Sequence, residues 1–255
     1  MTSSRQRIRF SGGWLLGTIL FAFALFLSGC AAAGRPAPLP LPAGEALEDG
    51  AAVERGWWRA RIRFDWPEDE DPRWFLDLLA ADRLFKPALV RHRHTFALWR
   101  FHRRAVPDAS GHQFSFRFYS DRDTARHIFD EVKKDPLLAE LCTSGLVKET
   151  IFDDPDLDPE TDVGATSDPN WSGELQTAWP HYIMGVSAMW LELIHQAADK
   201  VSPPEDSMEA LLAYYRALDL RVYEIWRDEA QHAFFHHLNA LFGYRPLMIR
   251  KPMQF

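Results

Sequence analysis

Strict alternation between residues 58 and 66 is the feature that most restricts the fold of this chain. Large apolar residues and one alanine occupy the even positions, which are Trp58, Ala60, Ile62, Phe64 and Trp66. Polar residues occupy the odd positions, which are Arg59, Arg61, Arg63 and Asp65. Apolar side chains at every second position predict a half-buried β-strand. The folded body therefore begins near Trp57 with a strand that has one apolar and one charged face.

A helix and a hairpin are predicted after this strand. Asp71-Pro72 has the residue types of a helix cap and a first helical position, and apolar residues spaced three or four apart follow it. Residues 94–104 and 112–119 predict two further strands. The turn between them, residues 107–111, is rich in the residue types that hairpin loops favour.

A second helix and a fourth strand complete the first part of the body. Ser120 and Asp123 resemble a capping box, and the helix that they open is expected to end at Pro136. Residues 146–152 predict the fourth strand. The order β-α-β-β-α-β is that of the split, ferredoxin-like unit. The sequence therefore predicts an α+β fold with a ferredoxin-like unit over residues 56–155.

The rest of the body, residues 156–255, predicts an acidic loop and a C-terminal helical hairpin packed on the same body. The two helices are expected at about 180–198 and 206–242, separated by two consecutive prolines at 203–204. Gly243 has the position of a C-terminal helix cap.

The first thirty residues have the pattern of an export signal. Three arginines precede an uncharged run from Trp14 to Leu27, and a break follows at once. The run has 14 residues, whereas a membrane-spanning helix needs about 20 apolar residues. A retained transmembrane helix is the alternative, and it requires the polar, glycine-rich segment before Trp14 to be counted in.

The motif Leu27-Ser28-Gly29-Cys30 resembles the lipobox of bacterial lipoprotein precursors. This resemblance implies that residues 1–29 are a signal peptide and that Cys30 becomes the acylated first residue. Residues 30–55, rich in proline and alanine, would then be a tether to the membrane. Ala31, where an inner-membrane lipoprotein usually has Asp, implies an outer-membrane lipoprotein that faces the periplasm.

Charge and cysteine content exclude two classes of protein. Removing residues 1–29 takes away three of the 29 basic residues and none of the 36 acidic ones, which leaves a net charge of −10. Such an acidic chain is not expected to bind nucleic acid. Cys142 is the only cysteine besides Cys30, so no internal disulfide is expected in the mature chain. Cys142 is predicted to be a small buried residue.

The charged face of the sheet is the main candidate for a binding site. If the even-numbered side chains of the first strand face the helices, the opposite face collects Arg59, Arg61, Arg63, Gln113, Ser115, Arg117 and Tyr119. The second strand would add Arg100, His102 and Arg104, depending on its register. One hypothesis is an anionic ligand, such as a lipid headgroup, a glycan phosphate or a peptide carboxylate. The other is that the acidic segment or the helical hairpin covers this face.

The motif Glu-x-x-His occurs twice, at Glu192/His195 and at Glu229/His232, with His236 one turn further on. The first pair points away from the apolar stripe of its helix and is predicted to be a surface pair. The second set continues an apolar stripe that starts at Leu211 and steps by three and four. A buried network or interface, a ligand crevice and a metal site, with zinc or iron as the metal, all remain open for Glu229, His232 and His236.

Acidic residues at every second position form a third candidate site. They are Asp154, Asp156, Asp158, Glu160 and Asp162. Calcium loops place oxygen ligands in this way, but Pro159 and Ala165 stand where an EF-hand has glycine and glutamate. A solvated or arginine-paired loop is the preferred interpretation.

The sequence favours a non-catalytic, lipid-anchored envelope module that binds an anionic component or a protein partner. No cofactor is predicted. The alternatives are a metal-dependent or acid/base enzyme that uses Glu229, His232 and His236, and a calcium-binding acidic loop.

Overall fold

The computed structural model describes residues 37, 39–40, 54–198, 204 and 207–246. Residues 1–36 and 41–53, including Cys30 and most of the expected tether, lie outside the described residues. The four strands are β1 (Arg55–Phe64), β2 (Leu98–Val106), β3 (Gly111–Asp121) and β4 (Val147–Phe152). They form one antiparallel sheet in the order β2-β3-β1-β4, with helices between β1 and β2 and between β3 and β4. The α+β class expected from the sequence is present.

Register in the sheet follows from the alternation in the sequence. Trp58 pairs with Phe118 and Ile62 pairs with Phe114, so the apolar positions of β1 and β3 share one face. In β2, Phe101 pairs with Phe116 on the same face. A one-residue slip would turn these core-facing aromatic side chains to the other face of the sheet. The hairpin turn lies where it was predicted, between Val106 of β2 and Gly111 of β3, which are paired.

One helical stretch connects β1 to β2. It consists of α1 (Phe75–Leu79), a π-helical segment (Ala80–Phe85) and α2 (Lys86–Arg91). The predicted start at Asp71-Pro72 is wrong, since α1 begins at Phe75 with no capping side chain. The π segment has a structural role at Asp82, whose buried carboxylate accepts a hydrogen bond from the Tyr215 hydroxyl at 2.6 Å and pairs with Lys86.

Two helices, α3 (Arg122–Lys133) and α4 (Pro136–Thr143), connect β3 to β4. The predicted capping residue Ser120 is wrong, because Asp121 caps α3 by accepting a hydrogen bond from the Thr124 amide at 2.8 Å. Pro136 does not merely end a helix. It is the first residue of α4, where its fixed φ and missing N–H are tolerated, and Asp135 caps that helix.

The helical hairpin consists of α5 (Gly173–Ala198) and a longer stretch made of α6 (Met208–Ile225), a π-helical segment (Trp226–Ala230) and α7 (Gln231–Leu241). The α5 helix lies against the edge strand β2, where the Ser187 hydroxyl accepts a hydrogen bond from the Phe101 amide at 3.0 Å. Pairing with a side chain removes a free sheet edge that would otherwise invite association. The α6 helix packs against α1.

The hydrophobic core lies between the apolar face of the sheet and the helices. Its largest fully buried side chains include Trp99, Phe85, Phe114, Phe116 and Phe118. Phe85 of the π segment contacts Phe114 and Phe116, with ring centroids 5.9 Å and 5.2 Å apart. Leu39 also packs against the core, and its amide donates to the Glu192 carboxylate at 3.0 Å. Part of the expected tether is therefore held on α5.

Replacing Asp121 by alanine tests the corrected helix cap. Loss of the cap is expected to lower the free energy of unfolding by about 1 kcal/mol. Ser120→Ala is the matched control, because the Ser120 hydroxyl bonds only the Asp121 carbonyl and caps no helix. Urea denaturation of both variants measures the difference. Equal losses would show that Asp121 does not stabilise α3.

Candidate functional site

Nine side chains of β2, β3 and β1 form the open face of the sheet, in three rows that each take one residue from each strand. The rows are Arg100, Arg117 and Arg59; then His102, Ser115 and Arg61; then Arg104, Gln113 and Arg63. Paired residues on neighbouring strands project from the same side of a sheet, so all nine point away from the core. We call this set the arginine face.

Three arginines of this face are paired with carboxylates at its rim. Arg59 contacts Asp153 at 3.2 Å, just after β4, and Arg63 contacts Glu149 of β4 at 3.4 Å. Arg104 pairs with Asp108 in the hairpin turn. These pairs are at least partly exposed, so each contributes little to stability. They neutralise three outer arginines of the arginine face and no arginine next to Ser115 in the middle row or the middle strand.

The other three arginines have no carboxylate partner among the described residues. Arg61 donates to the Gln113 side-chain oxygen at 3.3 Å, and Arg100 donates to the Thr166 carbonyl at 2.7 Å. Within the described part of the chain, Arg117 makes no hydrogen bond or ion pair. The Nε atoms of all three are buried and have no hydrogen-bond partner. Arg59 and Arg63 share this feature, so five of the six arginines of the face have a buried Nε without a hydrogen-bond partner among the described residues.

Electrostatic repulsion inside the arginine face is visible in its pKa values. Burial, together with the charge of Arg117, lowers the pKa of Arg100 to about 10. Burial and the charge of Arg59 also lower the pKa values of Arg61 and Arg117. Like charges directly opposite each other on neighbouring strands are destabilising. Neighbouring positive charge thus adds to burial in lowering these pKa values, while Glu149 and Asp153 oppose it at Arg61 and Asp153 opposes it at Arg117.

The acidic segment covers only one end of the arginine face. Trp57 of β1 donates its backbone amide to the Glu160 carbonyl at 2.9 Å and its indole N–H to the Val163 carbonyl at 3.1 Å. Gly56 permits this approach, because a Cβ atom there would lie 2.5 Å from Pro159. Asp153 is the only acid of the segment that contacts an arginine of the face. Among the described residues, the acidic segment covers the arginine face at its Trp57 end.

The acidic residues of the calcium hypothesis are directed at other partners. Asp156 pairs with Arg126 and Asp158 pairs with Arg122, both on α3. Asp162 caps the 3-10 helix Val163–Thr166. Their carboxylates contact separate elements, as the arginine-paired interpretation predicted.

The Glu229, His232 and His236 side chains are all exposed. The sequence predicted instead that they continue the apolar stripe of α6, which is buried. The reason for the difference is the π-helical segment Trp226–Ala230, which adds a residue to the turn and rotates everything after it. Ala230 occupies the buried position instead. The His232 and His236 rings are 5.8 Å apart. Across the described ranges, no three His, Cys, Asp or Glu side chains are grouped for a metal ion.

Two other sequence predictions need correction. Glu192 was expected to form a surface pair with His195, but it is half-buried and accepts hydrogen bonds from Leu39 and Gln196. Cys142 was expected to be buried, but it is exposed on α4. Leu138 and Leu141 fill the core positions of this short helix, which leaves Cys142 on its outer side.

A buried polar network on the helix side of the sheet was missed from the sequence. Asp77 of α1 accepts hydrogen bonds from Arg103 Nε at 2.8 Å and from His112 Nε2 at 2.9 Å. Asp77 and His112 are fully buried. The Arg103 guanidinium lies between the Trp74 and Trp190 rings, 4.9 Å and 5.0 Å from their centroids. The alternation of the strands could have indicated this network, because it places Arg103 and His112 on the apolar face of the sheet.

This network borders a cavity of about 620 Å³ between β2, α5 and α6. Its walls include Trp74, Arg103, Trp190, Asp219, Tyr223 and Trp226. Burial raises the pKa of Asp219, with the charge of Asp77 adding to this effect and that of Arg103 opposing it. Asp219 lies 3.9 Å from Arg103 and makes no hydrogen bond with another described residue.

Comparisons of the chain with known protein families, with curated proteins and with solved structures give no significant match. None of the helices in the described ranges has both the length and the apolar character to cross a membrane. The site therefore has to be interpreted from its own geometry.

Replacing Asp77 by alanine tests the buried network. Removing one partner of a buried ionic network leaves Arg103 uncompensated, so the free energy of unfolding is expected to fall by about 3–5 kcal/mol. Asp130→Ala is the control, because the Asp130–Lys134 pair is exposed and its loss should change stability much less. Chemical denaturation followed by tryptophan fluorescence measures both. A small loss in Asp77→Ala would contradict the structural role of the network.

The pH dependence of stability tests the charge of the arginine face at His102. Burial and the charges of Arg117, Arg100 and Arg104 lower the pKa of this histidine. The unfolded chain then binds the proton more tightly than the native protein, so this contribution to stability is present above pH ~6.5 and is lost as the pH falls through the lowered pKa. His102→Gln should lose less stability than the wild type between pH 7.5 and 5. Parallel pH profiles of the two proteins would contradict the repulsion.

Proposed function

We propose that this protein is a lipid-anchored envelope protein whose arginine face binds an anionic component of the envelope, without catalysing a reaction. The observation that carries the proposal is the group of three arginines, Arg61, Arg100 and Arg117, that lack carboxylate partners among the described residues. Arg100 and Arg117 are paired on neighbouring strands and Arg61 is diagonal to Arg117, in a chain whose net charge is −7.

Position and chemistry both favour binding over a structural role. An arginine that serves only stability normally has an acid beside it, as Arg59, Arg63 and Arg104 do at the rim. The planar guanidinium group offers paired donors that match the oxygens of phosphates and carboxylates. Because β-strands fix the backbone positions of these residues, a ligand has to order only their side chains.

The finer fold assignment is part of the proposal. We infer that residues 56–155 are a ferredoxin-like unit, supported by an antiparallel order in which β1 lies between β3 and β4. Such a unit leaves one face of its sheet free of its own helices, and that face is the arginine face. The helical hairpin contacts the β2 edge and α1, and its described residues make no hydrogen bond or ion pair with the arginine face.

The anchor is proposed from the lipobox-like motif that ends at Cys30. Acylation of Cys30, with outer-membrane sorting and a periplasmic location, would hold the arginine face within reach of lipid headgroups and glycans. Mass spectrometry of the membrane-extracted protein is expected to find residues 1–29 removed and acyl chains on Cys30. An unmodified thiol preceded by residues 1–29 would refute this part of the proposal.

Substitution of the unpaired arginines tests binding. The double variant Arg61→Gln/Arg117→Gln, made in the full chain and kept in a nonionic detergent, is expected to bind tripolyphosphate at least tenfold more weakly than the wild type. Each charge-assisted hydrogen bond contributes about 1.5–3 kcal/mol, and 1.4 kcal/mol corresponds to a tenfold change in affinity. Titration calorimetry measures the dissociation constants.

The control is the double variant Arg91→Gln/Arg93→Gln, which removes two positive charges from exposed positions at the end of α2 and in the loop after it. It should bind tripolyphosphate within twofold of the wild type. The Arg61→Gln/Arg117→Gln variant should also be at least as stable as the wild type, because it removes repulsion and no ion pair. Lost stability with unchanged binding would instead support an internal role for these arginines.

A further inference from the structure

Ser115 lies at the centre of the arginine face. It pairs with His102 of β2 on one side and with Arg61 of β1 on the other. Along β3 its neighbours on the same face are Gln113 and Arg117. Seven of the eight positions around it are therefore arginine or histidine, and the remaining one is glutamine. Ser115 is 5% exposed, because the longer side chains around it cover most of its surface.

The Ser115 hydroxyl is free to bind a ligand as far as the described residues show. It makes no hydrogen bond with any of them, and it is not among the buried polar atoms without a partner. Directly opposed residues on neighbouring strands have Cβ atoms about 4.5–5.5 Å apart, and alternate residues along a strand are about 7 Å apart. Arg61, Arg117 and His102 thus reach one point above Ser115.

The paired and unpaired arginines are distributed so that positive charge is concentrated at this point. Arg59, Arg63 and Arg104 have carboxylate partners outside the ring. Arg61 and Arg117, the two unpaired arginines next to Ser115, have none among the described residues, and their Nε atoms are buried and unsatisfied. An anion above Ser115 is the one position that contacts both.

We propose that this centre binds a phosphoryl group, as a phosphate monoester or a phosphodiester. This inference rests on the proposed function of the arginine face and names its ligand. A carboxylate has two oxygens in a plane, and one guanidinium fork can saturate them. A phosphoryl group presents two or three acceptor oxygens in different directions, which suits donors from Arg61, Arg117 and the Ser115 hydroxyl on three sides. His102 adds a fourth donor.

Removing the hydroxyl tests the preference for phosphoryl groups. In the full chain, in a nonionic detergent, Ser115→Ala is expected to bind glycerol 3-phosphate about tenfold more weakly, because a hydrogen bond to a charged group is lost. Binding of citrate, which carries only carboxylates, should change less than twofold. Ser115→Thr keeps the hydroxyl and should retain phosphate affinity. Ser144→Ala, at the end of α4, is the matched control for both ligands.

A second variant tests the same point with two readouts, ligand binding and melting temperature. Ser115→Asp places a carboxylate where the phosphoryl group is expected, so it should abolish glycerol 3-phosphate binding. It should also raise the melting temperature, since the new charge pairs with Arg61 and Arg117. A lowered melting temperature with retained phosphate binding would overturn the proposed centre.

The outcomes separate this inference from the proposed function. If Ser115→Ala weakens citrate and glycerol 3-phosphate equally, the arginine face binds anions but the phosphoryl centre is wrong. If the wild type binds neither anion, the proposed function itself fails. Dihexanoyl phosphatidic acid carries the same phosphate monoester as glycerol 3-phosphate. Tighter binding of this lipid, lost in Ser115→Ala, indicates a lipid headgroup, and equal binding indicates a free phosphoryl ligand.

Discussion

Pairing between β1 and β3 is the constraint on which the rest of the structure depends. The two strands pair continuously from Arg55 to Arg63 of β1, and β2 pairs with the other edge of β3. In this register the core-facing aromatic residues of the three strands share one side of the sheet. The arginine face is the other side. Core and candidate site are thus two sides of one hydrogen-bonded ladder, and neither can change register without the other.

A strong core is what allows the other face to hold so many like charges. Tilted aromatic pairs connect the sheet to Phe85 of the π-helical segment after α1. Aromatic pairs add about 0.5–1.5 kcal/mol each beyond the area that they bury. The repulsion among Arg59, Arg100 and Arg117 works against this stability. Such a cost is typical of sites where a ligand, and not the fold, provides the compensating charge.

The C-terminal helices determine which surfaces remain open. The α5 helix closes the β2 edge through Ser187, and α6 covers α1, with Tyr215 bonded to Asp82. Neither helix makes a hydrogen bond or ion pair with the arginine face in the described part of the chain. The π-helical turn at Trp226–Ala230 then directs α7 away from the core, so that its histidines and phenylalanines are exposed.

Much of the fold was predictable from the spacing of apolar residues. Strands bury every second residue and helices bury every third or fourth, whatever they pack against. The four strands, the hairpin turn at 107–111 and the separation of Trp58 from Arg59 all follow from these patterns. Helix caps were harder to predict. Ser120 and Asp121 are both good capping residues, and only the backbone path decides which of them reaches the Thr124 amide.

The sequence by itself determined that one face of the sheet is apolar and the other rich in arginine, since alternation assigns the faces without knowledge of the partners. Only the tertiary structure decided which arginines are neutralised. Asp153, Glu149 and Asp108 reach the rim, while the acids at 156 and 158 contact α3 instead. The physical reason is that ion pairs depend on distances between segments far apart in the chain, and local periodicity carries no information about such distances.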